Sequence, residues 1–247
     1  MTLILAIPTS TGIVLASDGQ LTSGDVRSSG QKIWALNKCC AWGGAGELAL
    51  IQRVREEIEK LTVAQPLGNL RDFLAVRIKE CVTALLQLDF RTPFSQGNPA
   101  ALLSLHPGDF VFAEFTDIPK ILHVTSYGTP EWIERPYATG NGAPFAYALL
   151  QKYQNVELSL DRASLLAFKV IEEAIDVGAY GLGPPIHVWQ INAQGTRVLS
   201  EAEVAALTDA AKSLRDAEIK LLLSEVECFV EAVVATTPSP KTEDRQS

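Results

Sequence analysis

The chain has 247 residues, 47% hydrophobic and 20% charged, a balance that excludes general disorder and supplies a sizeable core. Against roughly 150 residues per domain, this length reads as one large domain or a domain with an extension. Acids outnumber bases 29 to 21, and the net charge of -8 argues against a nonspecific nucleic-acid binder, which needs clustered Lys and Arg. The apolar stretches stop short of the roughly 18 residues of a membrane span, and no basic flank follows Met1, so the reading is a soluble, unexported, cytoplasmic protein. Cys39, Cys40, Cys81 and Cys228 are too few and too scattered for a disulfide scaffold, and buried thiols are the expectation. His106, His123 and His187 have no HExxH or CxxC companion, so each reads as structural or surface histidine, and no metal or organic cofactor is implied.

In chain order, Leu3 to Pro8 and Gly12 to Ser17 are short apolar strands around a polar break, with Asp18 and Gly19 ending the second. Lys32 to Leu36 and Cys39 to Gly43 form a second pair around Asn37-Lys38. After Gly43-Gly44-Ala45-Gly46 the period changes: Ile51, Val54, Ile58 and Leu61 recur at helical spacing, which predicts a helix from about Glu47. A second helix is predicted over about Leu70 to Leu88, followed by a loop between Pro93 and Pro99.

Strand patterns return at Ala101 to Leu105, Phe110 to Phe115, Lys120 to Thr125 and Trp132 to Ala138. Helices over about Ala143 to Tyr153 and Asp161 to Val177 precede a strand from Ile186 to Asn192. Strands and helices occur in separate runs, which favours an α+β layered fold over alternating βαβ units. Ser200 and Glu203 have the S-x-x-E form of a capping box, and apolar positions at helical spacing continue to Val233, so a long C-terminal helix is predicted. That helix either packs on its own domain or makes an intersubunit contact. Residues 236 to 247 read as a disordered tail.

The chemistry starts at Thr2. Methionine before a small residue is the kind of start from which the initiator is removed, which would leave a free α-amine and a hydroxyl on one residue. A hydroxyl needs a base, and an α-amine of pKa about 7.7 to 8.0 suits that task at neutral pH. Around it stand Ser17-Asp18-Gly19-Gln20, Gln31-Lys32-Ile33 and Trp42-Gly43-Gly44-Ala45-Gly46-Glu47. With Tyr137-Ala138-Thr139-Gly140-Asn141-Gly142-Ala143-Pro144-Phe145 and Pro185-Ile186-His187-Val188-Trp189, this set resembles the proteasome β-type subunits and their bacterial proteasome-like relatives.

The resemblance covers roughly residues 2 to 199 and implies an N-terminal-nucleophile hydrolase fold, a four-layer αββα sandwich of two antiparallel sheets flanked by helices. Residues 200 to 235 would be a helical extension. It assigns Thr2 as nucleophile, Lys32 as the charge that lowers the pKa of the amine and hydroxyl, and Asp18 as the partner that fixes Lys32. Gly43 would present its N-H to the oxyanion. Leu21, Gly30, Ala41 and Ala45 would line the first substrate pocket.

Two positions depart from the family pattern. The resemblance also assigns Asn141 and Asp176 to the catalytic centre, but Asn141 replaces a serine between Gly140 and Gly142, and Ala179 stands where Asp-x-x-Ser would end after Asp176. Asn141 can hydrogen-bond the amine but cannot relay a proton as a hydroxyl does. The implied activity is hydrolysis of peptides or unfolded protein in a homo-oligomeric ring or related assembly, with an ATP-dependent unfoldase as partner. A catalytically silent scaffold subunit and a small-molecule amidohydrolase on the same fold are the alternatives.

Overall fold

The computed structural model describes residues 2–23, 26–61, 65–88, 107–178 and 181–236; at residues 23, 88 and 225–236 it describes the backbone. The predicted strand at 101–105, the loop between Pro93 and Pro99, His106, Ala179 and the tail from residue 237 lie outside these.

Twelve strands are described, and most belong to two five-stranded antiparallel sheets. The first sheet runs in the order β10-β1-β2-β11-β12, with β1 Ile4–Thr9, β2 Gly12–Asp18, β10 Tyr137–Thr139, β11 Ile186–Asn192 and β12 Gly195–Val198. The second runs β5-β6-β7-β8-β9, with β5 Ile33–Asn37, β6 Cys40–Gly46, β7 Gly108–Phe115, β8 Pro119–Thr125 and β9 Pro130–Ile133. A separate hairpin joins β3 (Gln20–Ser23) to β4 (Val26–Ser29).

The period-2 alternation of the strands sets the layers, because each strand's two faces bury different partners. Leu3, Leu5, Val14, Ala16 and Val188 pack under the helices α3 (Ala143–Leu150) and α4 (Leu160–Asp176). Ile4, Ala6, Ile13, Leu15, Val111 and Ala113 fill the space between the sheets. Trp42, Phe110, Phe112 and Leu122 meet the inner faces of α1 (Leu48–Glu59) and α2 (Leu67–Leu88). The result is the expected αββα sandwich.

The last helix, α5 (Glu201–Thr236), begins with the predicted capping box: Ser200 N donates to Glu203 Oε2 at 2.8 Å, and Glu203 N donates back to Ser200 Oγ at 3.3 Å. Its first half lies against α4. Ala211 is buried there, Arg215 meets Glu172 at 2.8 Å and Glu218 meets Lys169 at 3.1 Å. No helix among the described residues is long and apolar enough to cross a membrane.

Three elements differ from expectation. The run Trp132 to Ala138 is two strands in different sheets, β9 and β10, because the chain crosses from one sheet to the other through Glu134-Arg135-Pro136. The segment between Leu21 and Gly30, for which the resemblance implies a shortened loop, carries the paired strands β3 and β4. Most consequentially, β6 does not stop at Gly43 but runs through the glycine stretch to Gly46. Small residues are needed there: a Cβ at Gly43 would lie 3.0 Å from Ile4 Cδ1, and one at Gly44 would lie 3.2 Å from both Ile51 and Phe110.

Candidate active site

Asp18 is the last residue of β2 and is fully buried. Its Oδ1 accepts from the Leu3 amide at 2.9 Å and from Lys32 Nζ at 2.8 Å, while its Oδ2 faces the amides of Gln20 and Gly183 at 3.3 and 3.4 Å. A carboxyl group so placed has its buried oxygens met by fixed donors, which offset the cost of taking them out of water. The Leu3 bond ties it to the residue next to Thr2, and the ladder continues with Asp18 N donating to Leu3 O at 3.3 Å.

Lys32 enters β5 from the other sheet with only 2% of its side chain exposed. Burial pulls its ammonium below the ordinary lysine pKa, and the charge and hydrogen bond of Asp18 offset part of that drop. The strand lysine is therefore sealed in the protein rather than solvated. Thr2, itself only 6% exposed, has its carbonyl oxygen accepting from Gly142 N at 3.3 Å. Gly140, with φ of +92°, permits that approach, since a Cβ there would collide with the Thr2 carbonyl.

Thr2, Lys32 and Gly46 line one cleft of about 420 Å³. Leu21, Val26, Gln31, Trp34, Leu48 and Ile51 contribute to its walls, and Glu47 stands at the same place. The β3–β4 hairpin thus supplies one side and the start of α1 the other. Arg55 lies over the Trp34 ring at 5.7 Å from its centroid, which braces that wall from behind.

The parity of the ladder decides which glycine faces the cleft. Glu47 N donates to Pro107 O at 2.8 Å and Phe115 N to Cys39 O at 3.0 Å. With Gly43 registered against Val111, these bonds put Gly43 in a hydrogen-bonded pair with β7, so its N-H is spent in the sheet. Gly44 donates to Lys32 O at 3.3 Å, on the opposite side. Gly46 has the same parity as Gly44, and β5 begins only at Ile33, so its N-H is directed into the cleft beyond the end of that strand. Its φ of +139° and the backbone of Pro107 beneath it leave no room for a side chain. Of the two glycines, Gly46 and not Gly43 therefore offers its N-H to the cleft.

Other predicted positions also separate. Leu21 lines the cleft, and Gly30 packs on it, a Cβ at Gly30 being excluded by the Leu21 side chain. Ala41 and Ala45 instead point into the core between the sheets. Asn141 sits in an exposed turn outside the cleft walls. Asp176, at the end of α4, is 56% exposed and paired with Arg215 of α5 at 3.3 Å, so it is not brought to Thr2. Sequence reasoning missed His187, whose Cα is in register with Ser17 on the neighbouring strand. Burial and then the charge of Lys32 pull its imidazole pKa down, with Asp18 opposing. Gln31, Trp34 and Leu48 were also missed, although the first two flank Lys32 within two residues, which was the available signal.

No family model matches the chain. Among curated proteins, a proteasome subunit beta of Methanocaldococcus vulcanius is 23% identical over 81% of this chain and 86% of its own length. The proteasome subunit beta 2 of Pyrobaculum islandicum is 24% identical over 82% of this chain and 96% of its own. The chain resembles the proteasome β subunits. Its fold matches Anbu, described as an ancestral beta-subunit, from Yersinia bercovieri, with a TM-score of 0.67 and 13% identity over 97% of this chain and 99% of that one. An Anbu (Gly-1) mutant from a Hyphomicrobium strain gives 0.64 at 15% identity, covering 89% and 97%. The chain thus shares the fold of these solved structures.

Proposed function

We propose that the protein is a threonine peptidase of the proteasome type, with Thr2 as nucleophile after removal of Met1. The observation that carries this reading is the sealed Lys32–Asp18 pair, whose Lys32 lines the same cleft as Thr2. The Thr2 α-amine takes the hydroxyl proton as Oγ1 attacks the scissile carbonyl carbon, and Lys32, as a nearby cation, lowers the pKa of both groups. The Gly46 N-H meets the developing oxyanion. The protonated amine then gives its proton to the leaving amine, an ester to Thr2 remains, and a water activated by the same amine hydrolyses it.

The substrate is a peptide or unfolded protein with an uncharged side chain against Leu21 and Leu48, cleaved broadly, since one methylene in an apolar pocket changes discrimination by only about 1 to 3 kcal/mol. The assembly is a cytoplasmic homo-oligomer that encloses its sites, and an ATP-dependent unfoldase would feed them. The second reading, a silent scaffold subunit, is favoured by one observation: Asn141 and Asp176 both lie outside the cleft.

The test is an intact mass spectrum before and after an electrophile that acylates N-terminal threonine, with Thr2→Ala as control. Loss of Met1 and a single adduct absent from the variant are the expected result. Retained Met1 overturns the mechanism in favour of the scaffold. Cleavage confined to small amides, with no turnover of peptides, would place the protein with the amidohydrolases.

A further inference from the structure

A second polar cluster lies a few residues from the cleft and is used by none of the steps above. Asp109 is the second residue of β7 and stands at the rim of the otherwise apolar space between the sheets, its side chain 15% exposed. Its Oδ1 accepts from His123 Nε2 of β8 at 3.0 Å, and its Oδ2 accepts from Thr139 Oγ1 of β10 at 3.2 Å. His123 is 7% exposed, its ring centroid 5.0 Å from that of Tyr137. Burial and then the charge of Asp109 push the Tyr137 phenol well above its ordinary value. From the helix side, Tyr147 of α3 accepts from Ala138 N at 3.2 Å and donates to Ala138 O at 3.1 Å, so all three residues of β10 are held.

The location gives the cluster its meaning. Thr139 belongs to the sheet that carries Thr2 and is followed by Gly140, whose missing Cβ admits the Thr2 carbonyl, and by Gly142, which donates to it. Asp109 belongs to the other sheet and is paired with Ala45, the residue before Gly46. A carboxylate at the edge of a core costs free energy unless its lone pairs are filled, and here they are filled from both sheets. It therefore fixes the distance between the nucleophile's wall and the oxyanion wall, which two apolar faces alone would leave free to slide.

We infer that Asp109, oriented by His123 and bonded to Thr139, is a positioning residue that holds Thr2 and Gly46 in the reactive spacing. The inference rests on the peptidase reading for its kinetic consequence and not for its structural one. A misplacement of about 1 Å at a reacting centre costs on the order of 100-fold, so a partial loosening reads as roughly tenfold.

The experiment compares Thr139→Val, which removes the hydroxyl at nearly constant shape, with Thr139→Ser and Asp109→Asn in the full chain. Peptide kcat and KM, the rate of Thr2 acylation, thermal midpoint and amide hydrogen exchange of residues 139–142 and 44–47 are measured on each. The expected result is a kcat about tenfold lower in Thr139→Val with KM within twofold, faster exchange in both segments, and recovery in Thr139→Ser. Unchanged exchange in Thr139→Val and Asp109→Asn overturns the inference, as does a lowered thermal midpoint with wild-type kcat in the folded fraction. If the wild-type chain itself forms no Thr2 adduct, the peptidase reading falls, and the exchange measurement still decides the clamp.

Discussion

Two aspartates, Asp18 and Asp176, were placed in one catalytic centre by the same resemblance, and the protein treats them oppositely. Asp18 is fully buried with donors from Lys32 and from backbone amides. Asp176 is 56% exposed and shares Arg215 with Glu172. A charge sealed among fixed dipoles acts on its neighbours through a low dielectric, whereas one at the surface is screened by water and salt. On the proposed mechanism the chemistry therefore belongs to the Thr2–Lys32–Asp18 side, while the Asp176 side joins α4 to α5. A resemblance transfers residue types; burial decides which of them work.

The sharpest test of this contrast is to break the buried pair. Lys32→Met or Asp18→Asn removes one partner and leaves the other desolvated, which should cost about 3 to 5 kcal/mol of stability and abolish Thr2 acylation. Denaturant unfolding and adduct mass read the two effects. Asp18→Asn with wild-type stability and labelling would show that the pair is inert.

The choice between two glycines is next. Gly46→Ala places a Cβ against the Pro107 backbone at a φ that L-residues avoid, and should cost about 3 kcal/mol or more. Gly43→Ala presses on the flexible end of Ile4 and should cost about 1 to 3 kcal/mol. In the acylated wild-type protein, the amide resonance of Gly46 should move and that of Gly43 should not. The reverse pattern would return the oxyanion donor to Gly43.

The pH profile follows in size. On the proposed mechanism the α-amine must be neutral to act, so the rate rises as pH passes its pKa. The rate then falls when Lys32 loses its proton, and because burial lowers that pKa, the alkaline limb should lie below 10.5. A plateau extending past 10.5 would mean that Lys32 does not act as a cation.

The smallest effects belong to the exposed side. Asp176→Asn should change stability by less than about 1 kcal/mol and kcat by less than twofold, as for other surface ion pairs. At the start of α5, Glu203 is held down to about 2 by the Ser200 amide, Arg197 and the Ser200 hydroxyl. Its folded pKa lies below its unfolded one, so its contribution is present above about 4.5 and lost as pH falls towards 2. Acid unfolding of Glu203→Gln should accordingly lose this part of its pH dependence. A fivefold fall in kcat in Asp176→Asn would erase the contrast between the two aspartates.

Much of this was legible in the chain. The short apolar runs in Ile4–Thr9 and Gly12–Asp18, the helical period after Gly46 and the Ser200–Glu203 cap are local signals, each expressed within a few residues. The Asp18–Lys32 pair was legible through the resemblance. The cleft walls at Gln31, Trp34 and Leu48 were not, because which face of a strand or helix meets a cleft depends on what lies across it.

The sequence by itself determined the α+β class and most element positions, since periodicity and short-range motifs are properties of the chain alone, and its resemblance to a known family supplied the company of Thr2, Asp18 and Lys32. Only the tertiary structure decided that Gly46 and not Gly43 faces the cleft, that Asp176 serves Arg215, that residues 130–139 divide between two sheets, and that Asp109 bridges them. The reason is the parity of a β-ladder: a shift of one residue exchanges the groups spent in the sheet for those offered to a ligand, and the partner strand sets that parity from more than sixty residues away.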